Sequence, residues 1–208
     1  MICEIQGIPV YYEEYGKGKP VLFIHGWSVD HRLMSGSFEP VFEKSGNYRR
    51  IYLDLPGMGQ TPSAYWIKNS DNTLTILLEF INKIIGDNNF LLAGESYGAY
   101  LTLGLVHEIE SRIDGVLLLC PLVDSIETIN KQGKLPQKTI IRKANMPESE
   151  EQNPDFQAFL NMAIIATPEI FEKYKKIFNQ GLMFTIKTFF QIIIRGNTIP
   201  NMRKNYGH

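Results

Sequence analysis

The stretch Gly94-Glu95-Ser96-Tyr97-Gly98 stands directly after the apolar run 90–93 and before a stretch with helical character. It has the pattern G-x-S-x-G. A serine that acts as a nucleophile must stand clear of its neighbours on a sharp turn from strand to helix. Such a turn brings backbone close to backbone, so small residues are needed on both sides of the serine. The pattern therefore predicts a nucleophile at Ser96; an ordinary turn with an incidental serine is the alternative.

Outward from this turn, strand and helix signals alternate along the first half of the chain. The predicted elements are a hairpin around Gly7 and then strands and helices in turn, at 21–24, 34–45, 50–53, 72–85, 90–93, 99–110 and 115–120. Short apolar strands that alternate with helices are typical of a parallel sheet covered on both faces. We therefore predict an α/β fold, with a mostly parallel sheet flanked by helices and an N-terminal antiparallel hairpin.

After Pro121 this alternation ends and the chain becomes mostly helical. The segments 153–155 and 167–169 each combine an N-cap residue, a proline and an acidic residue, a pattern that predicts the start of a helix. We therefore predict an α/β core over residues 1–124. Residues 125–208 are predicted to form a mostly helical lid after the sixth strand, followed by a C-terminal tail.

Composition excludes several classes of protein. The chain has 208 residues, 44% of them apolar, and a net charge of −1, so neither nucleic acid nor an anionic membrane is an expected partner. The first 20 residues contain three glutamates and no apolar segment, so no signal peptide is expected. No apolar run is long enough to span a membrane. Cys3 and Cys120 are expected to be reduced, Cys120 as a small core residue, which predicts a cytoplasmic location.

Three motifs at predicted strand ends together resemble the α/β-hydrolase superfamily. They are His25-Gly26, the segment Asp54-Leu55-Pro56-Gly57-Met58-Gly59, and Gly94-Glu95-Ser96-Tyr97-Gly98, in the order and spacing of that family. The resemblance covers roughly residues 1–124. It implies that Ser96 is the nucleophile of a serine hydrolase. It also implies that the backbone amides of Trp27 and Tyr97 form the oxyanion hole.

The resemblance implies a reaction through an acyl-enzyme on a small-molecule ester, amide or similar acyl substrate. The family has two further strands after its lid, and the segment 192–198 lacks the aspartate expected after the first of them. We therefore expect the last strands to be missing from this chain. An open sheet edge would invite self-association.

The remaining members of a Ser–acid–His triad are less well marked. Asp124 follows the strand at 115–120 and is the candidate acid; the alternative is an aspartate that caps a turn or helix. His208 follows Gly207 at the end of the chain and is the candidate base, although terminal residues are commonly frayed. No Asp or Glu occurs after Glu172. A truncated or degenerate homologue, with a pocket but little or no turnover, is therefore the alternative function.

The other polar residues near these motifs have simpler interpretations. His25 is expected to be structural, His31 to lie on a surface loop and Asp54 to brace its loop. His107 lies 11 positions beyond Ser96 on the same predicted helix, roughly 16 Å away, which is too far for a base. The chain has no H-E-x-x-H pattern and no Cys/His cluster, so neither a metal nor a cofactor is expected.

Overall fold

The computed structural model describes residues 1–43, 46–122, 142–143, 150 and 153–182. These residues belong to two compact units. The first contains the sheet with its flanking helices and includes Met1–Ser125 and the last two described residues, Gly181 and Leu182; the second lies within Ile126–Gln180. Asp124, His208 and much of the predicted lid and tail lie outside the described residues.

Six strands of the first unit form one mixed sheet, in the order β1-β2-β4-β3-β5-β6. Strands β1 and β2 form the antiparallel hairpin, β2 is also antiparallel to β4, and β4, β3, β5 and β6 run parallel. The predicted α/β fold with its hairpin is thus confirmed. The strands are β1 (Ile2–Ile5), β2 (Ile8–Tyr15), β3 (Lys19–Ile24), β4 (Tyr48–Leu53), β5 (Phe90–Glu95) and β6 (Ile113–Leu119).

Three helices cover the two faces of this sheet: α1 (His31–Phe42), α2 (Ser70–Ile84) and α3 (Tyr97–Ile109), with a 3-10 turn at Glu110–Arg112. Alternate residues of β3 show how the layers are arranged. Leu22 and Ile24 join the core cluster that contains the buried faces of α2 and α3. Phe23 joins a second cluster with Met34 of α1. Because both faces of β3 are covered there, the strand is apolar from Val21 to Ile24.

Strand β6 departs from the expectation of a parallel sheet that is covered on both faces. Val116 and Leu117 are both 44% exposed, and in the described part of the chain β6 pairs with β5 alone. Cys120, just beyond β6, is exposed and has a φ of 44°. The prediction that Cys120 is a core residue is therefore wrong, because apolar neighbours in sequence bury a residue only where other elements cover the strand.

The second unit is small and helical. It contains α4 (Pro154–Met162) and all but the last two residues of α5 (Pro168–Leu182), with the two-residue strands β7 (Arg142–Lys143) and β8 (Ile165–Ala166) paired in parallel. The two predicted helix starts are confirmed, and the Asn153 side chain caps α4 by accepting from the Asp155 amide at 2.9 Å. The core of this second unit is aromatic and includes Phe156, Phe159 and Phe171. Among the described helices of the chain, none is long and apolar enough to cross a membrane.

Candidate active site

Ser96 occupies the turn between β5 and α3. Its backbone has a φ of 50° and a ψ of −110°, a conformation that residues with a side chain rarely adopt. The turn is held on two sides, because the Ser96 amide donates to the Leu119 carbonyl at 2.9 Å and the Ser96 carbonyl accepts from the Tyr100 amide at 3.1 Å. The strain and its support are the features expected where a turn presents a nucleophile.

The two glycines of the pattern are required by close packing of backbone. A Cβ on Gly98 would lie 2.5 Å from the carbonyl oxygen of His25, and a Cβ on Gly94 would lie 2.5 Å from the carbonyl oxygen of Gly98. Real Cβ atoms essentially never come so close to another atom. Neither glycine has a positive φ, so the lack of a side chain is what each position needs. The start of α3 can therefore approach the end of β3.

The loop at residues 25–30 follows β3 and runs beside Ser96. A Cβ on Gly26 would come within 3.1 Å of the Ser96 Cβ. The rings of Trp27 and Tyr97 meet edge to face, with centroids 5.3 Å apart and planes at 83°. The structure thus brings the two predicted oxyanion-hole residues together beside Ser96.

The side chains on either side of Ser96 brace the turn. The Glu95 carboxyl lies against Gly26, so a Cβ on that glycine would come within 3.1 Å of Glu95 Cδ. Burial raises the pKa of Glu95, and a hydrogen bond from the Gly26 backbone opposes the rise. The Tyr97 hydroxyl donates to Ser70 Oγ at the start of α2, at 3.1 Å. Both neighbours of Ser96 are therefore tied to other elements.

His25 has a structural role, as predicted. It is fully buried, its Nδ1 is 2.7 Å from the Gly26 carbonyl oxygen, and its Nε2 is 3.0 Å from the Leu55 amide. Because an amide can only donate, Nε2 is the acceptor and Nδ1 carries the proton. Burial lowers the pKa of His25, which favours the neutral ring. The ring joins the loop after β3 to the loop after β4 and has no nitrogen left for Ser96.

The described residues supply no general base for Ser96. None of them is assigned a hydrogen bond to the Ser96 hydroxyl, and His107 lies in the last turn of α3, at the far end of that helix. Asp124 and His208 lie outside the described residues. Their roles as acid and base therefore stay predictions.

His31 contradicts the expectation of a surface histidine, because only 4% of it is exposed. It is the first residue of α1 and packs against Asp54, which is fully buried after β4. Asp54 Oδ1 accepts from the His31 backbone amide at 2.8 Å and lies 2.8 Å from His31 Nδ1. On the other side, His31 Nε2 is 3.3 Å from Glu13 Oε1 of β2. Asp54 braces its loop as predicted. No local sequence pattern predicts that His31 is its partner.

Ligand atoms of Asp30, His31 and Asp54 lie within 4.8 Å of one another, the spacing of a metal site. Each side chain is, however, already engaged. The Asp30 carboxylate accepts from the Arg32 amide at 3.0 Å and pairs with its guanidinium, and Asp54 Oδ2 accepts from the Gln60 amide at 2.7 Å. A metal ion would have to displace these bonds, so the cluster is best described as a buried group of ion pairs.

Comparison with known proteins agrees with this fold and geometry. The model of the alpha/beta hydrolase family matches residues 21–184, which is most of the chain. The chain belongs to the α/β-hydrolase family.

Among curated proteins, the chain is similar to a pimeloyl-[acyl-carrier protein] methyl ester esterase of Legionella pneumophila (strain Corby). The two are 30% identical over 156 residues, which cover 74% of this chain and 59% of the relative. A protein of the same name from Shewanella oneidensis is 30% identical over 111 residues, covering 53% of this chain and 38% of the relative. The chain thus spans about 59% or less of the length of these relatives.

Among solved structures, the chain resembles an alpha/beta superfamily hydrolase from Oenococcus oeni PSU-1, with a TM-score of 0.79 and 32% identity over 94% of this chain and 71% of that one. An esterase from Exiguobacterium antarcticum superposes with a TM-score of 0.64 over 92% of this chain and 72% of that one. At 18% identity, this second likeness concerns the fold alone.

Proposed function

We propose that this chain is a serine hydrolase that cleaves a small ester, amide or similar acyl compound through an acyl-enzyme at Ser96. The observation that carries the proposal is the strained backbone of Ser96, held beside the loop that bears Trp27. Strain of this kind persists only where the surrounding structure enforces it, and it clusters at functional sites.

In the proposed reaction, Ser96 Oγ attacks the carbonyl carbon and its proton passes to a base, for which His208 oriented by Asp124 is the candidate. The resulting oxyanion accepts hydrogen bonds from the amides of Trp27 and Tyr97. Tyr97 is the first residue of α3, where the amide has no intrahelical partner and the helix dipole favours negative charge. Collapse expels the alcohol or amine, which takes up the proton held by the base. Water then gives a proton to the same base, attacks the acyl-enzyme carbonyl and releases the acid, and Ser96 regains its proton.

A carboxylic ester is the substrate class that the relatives favour, because two similar curated proteins are named as methyl ester esterases. An ester also demands less of the site than an amide, because an alkoxide leaves more readily than an amide anion, so that an amide nitrogen must be protonated before it can leave. We therefore place short carboxylic esters ahead of amides. A panel of methyl and aryl esters with increasing acyl length would identify the preferred acyl group.

Covalent labelling tests the nucleophile directly. A fluorophosphonate probe should label the full chain and a Ser37→Ala control, in which an exposed serine of α1 is removed, but not Ser96→Ala. Hydrolysis of p-nitrophenyl butyrate should fall by at least about 10³-fold in Ser96→Ala, because loss of a nucleophile removes the covalent route. Labelling or turnover that survives in Ser96→Ala at the level of Ser37→Ala would contradict the proposal.

A ligand-binding protein without turnover is the second candidate, because no described residue stands ready as a base for Ser96. On this alternative the chain and Ser96→Ala would bind a short ester equally well, and neither would hydrolyse it. Isothermal titration with the ester, followed by analysis of the recovered ligand, separates the two cases. Ser96-dependent release of the acid excludes the second candidate.

Two further proposals concern the setting of the protein. The exposed apolar residues of β6, Val116 and Leu117, support self-association with a second copy through this strand. The cytoplasmic location inferred from the composition and the two cysteines also stays a proposal.

A further inference from the structure

Two buried charged groups and one half-buried carboxylate join three elements next to the candidate active site. Glu13 lies on β2, His31 begins α1, and Asp54 follows β4. The imidazole of His31 stands between the two carboxylates, 2.8 Å from Asp54 Oδ1 at Nδ1 and 3.3 Å from Glu13 Oε1 at Nε2. A neutral imidazole can donate from only one nitrogen, whereas the protonated ring donates from both. The geometry therefore matches a protonated His31.

The groups around Glu13 keep this carboxylate partner of His31 ionised. The Tyr11 hydroxyl donates to Glu13 at 3.0 Å and the Tyr15 hydroxyl donates to it at 2.6 Å. Burial acts to raise the pKa of Glu13, but these bonds and the charge of His31 outweigh it, so the pKa is lowered. The hydrogen bond to Glu13 in turn raises the pKa of Tyr15 to about 12, so this donor keeps its proton.

Further charges complete the surroundings of His31. Asp30 precedes it and is paired with Arg32, and the neutral ring of His25 lies on the far side of Asp54, with its Nε2 4.0 Å from Asp54 Oδ1. Burial acts to lower the pKa of His31, but the hydrogen bond and charge of Asp54, followed by the neighbouring carboxylates, raise it above its ordinary value.

His31 is also one end of the loop that passes the nucleophile. At its other end this loop begins with His25, whose carbonyl packs against Gly98. Between them, Ser28 has a φ of 59°, a left-handed conformation that a non-glycine residue adopts only under constraint. The bonds from Asp54 to the amide and ring of His31 fix the far end of this short, strained segment. Trp27 lies between the two fixed ends.

We propose that His31, although it does not touch substrate, is a positioning residue for the reaction at Ser96: its protonated side chain, clamped between Asp54 and Glu13, holds the loop that carries Trp27. The inference rests on the proposed hydrolase function. Removal of one proton leaves a single donor for two carboxylates. The weaker contact, to Glu13, is then lost first, and the loop loosens. A loosened loop misplaces the Trp27 amide, which stabilises the transition state rather than the bound ester.

Kinetics of matched variants test this role. His31→Asn keeps a donor near the position of Nδ1 but carries no charge, and the exposed His107→Asn is the control. With a short ester, kcat of the unmodified chain should decline on the alkaline side. His31→Asn should lower kcat about 10-fold, which is part of what the loss of a whole oxyanion donor costs. In this variant KM should change little and the alkaline decline of kcat should be absent. Glu13→Gln should move the decline to lower pH. Profiles of His31→Asn and His107→Asn that coincide with that of the unmodified chain would overturn the proposal.

A measurement that needs no turnover separates this inference from the proposed function. The indole ¹⁵N–¹H signal of Trp27, assigned with Trp66→Phe, should shift with the same pH midpoint as the His31 ring signals in the unmodified chain. That midpoint should lie above about 6.5. The positioning role is overturned, even if the ester is hydrolysed, when His31 titrates below that value or when the Trp27 signal does not change as His31 titrates. A coupled titration without Ser96-dependent hydrolysis instead rejects only the hydrolase function.

Discussion

Ser96 shows how a single residue can carry a strained conformation. Its positive φ is unfavourable for any residue with a Cβ, by about 1–3 kcal/mol. The cost is offset locally, because its amide and its carbonyl are both bonded to neighbouring elements and glycines on either side let backbones come close. The conformation of Ser96 is thus unfavourable by itself and is maintained by the surrounding contacts.

Gly98 and Gly36 form a matched pair for testing this packing. In Gly98→Ala the new Cβ would meet the backbone of Ile24 and His25, which cannot move aside, so we expect a loss of about 2 kcal/mol or more in the free energy of unfolding. In Gly36→Ala the Cβ would meet nothing within 4 Å, in a helix, so a gain of up to about 1 kcal/mol is expected. Urea denaturation measures both. Equal effects would show that Gly98 is not packed as described.

Beyond single residues, the candidate site depends on how strands and helices end. Strands β3, β4 and β5 run parallel, so the segments that follow them meet at one edge of the sheet. His25 ties the first of these segments to the second through the Leu55 amide, and His31 ties the same pair through Asp54. Two histidines whose pKa values are shifted in opposite directions therefore join the same two loops.

The ion-paired cluster predicts how the stability of the unit depends on pH. The pKa of His31 is raised in the folded state, so its contribution is fully present below its unfolded value of about 6.5 and is lost as pH rises through the folded value. The pKa of Glu13 is lowered, so its contribution is present above its unfolded value of about 4.3 and is lost on acidification. We expect the joint contribution of His31 and Glu13 to the thermal unfolding temperature to be highest between these limits, whereas His25, whose pKa is lowered, contributes most above about 6.5. The alkaline decrease should be smaller in His31→Asn than in His107→Asn; equal decreases would show that His31 is not responsible.

For the protein in solution, the exposed apolar surface of β6 is the feature with the widest consequences. Its apolar residues are exposed to an extent unusual for a parallel strand, which is normally covered on both faces. Sedimentation velocity over a range of concentrations should show reversible association. Leu117→Glu should weaken it, because like charges would face each other across the paired edges, whereas Leu103→Glu, on an exposed position of α3, should not. A monomer at all concentrations would reject self-association.

Much of this molecule follows from local patterns in the chain. The turn around Ser96, the apolar strands and the helix starts at 153–155 and 167–169 are specified by residues close in sequence, because backbone conformation and strand or helix periodicity are local properties. The same reasoning failed for Cys120 and His31. Burial at those positions depends on what lies across the fold, and no local pattern reports that.

The linear order of residues was thus enough to establish an α/β fold and to single out Ser96, since a strained turn needs its glycines at fixed neighbouring positions. Folding was needed to bring Glu13, His31 and Asp54 together, because 41 positions separate the first from the last in the sequence. A carboxylate and an imidazole interact strongly only when they lie within a few ångströms of each other. Which pairs come that close is set by the register of the sheet and the ends of its strands.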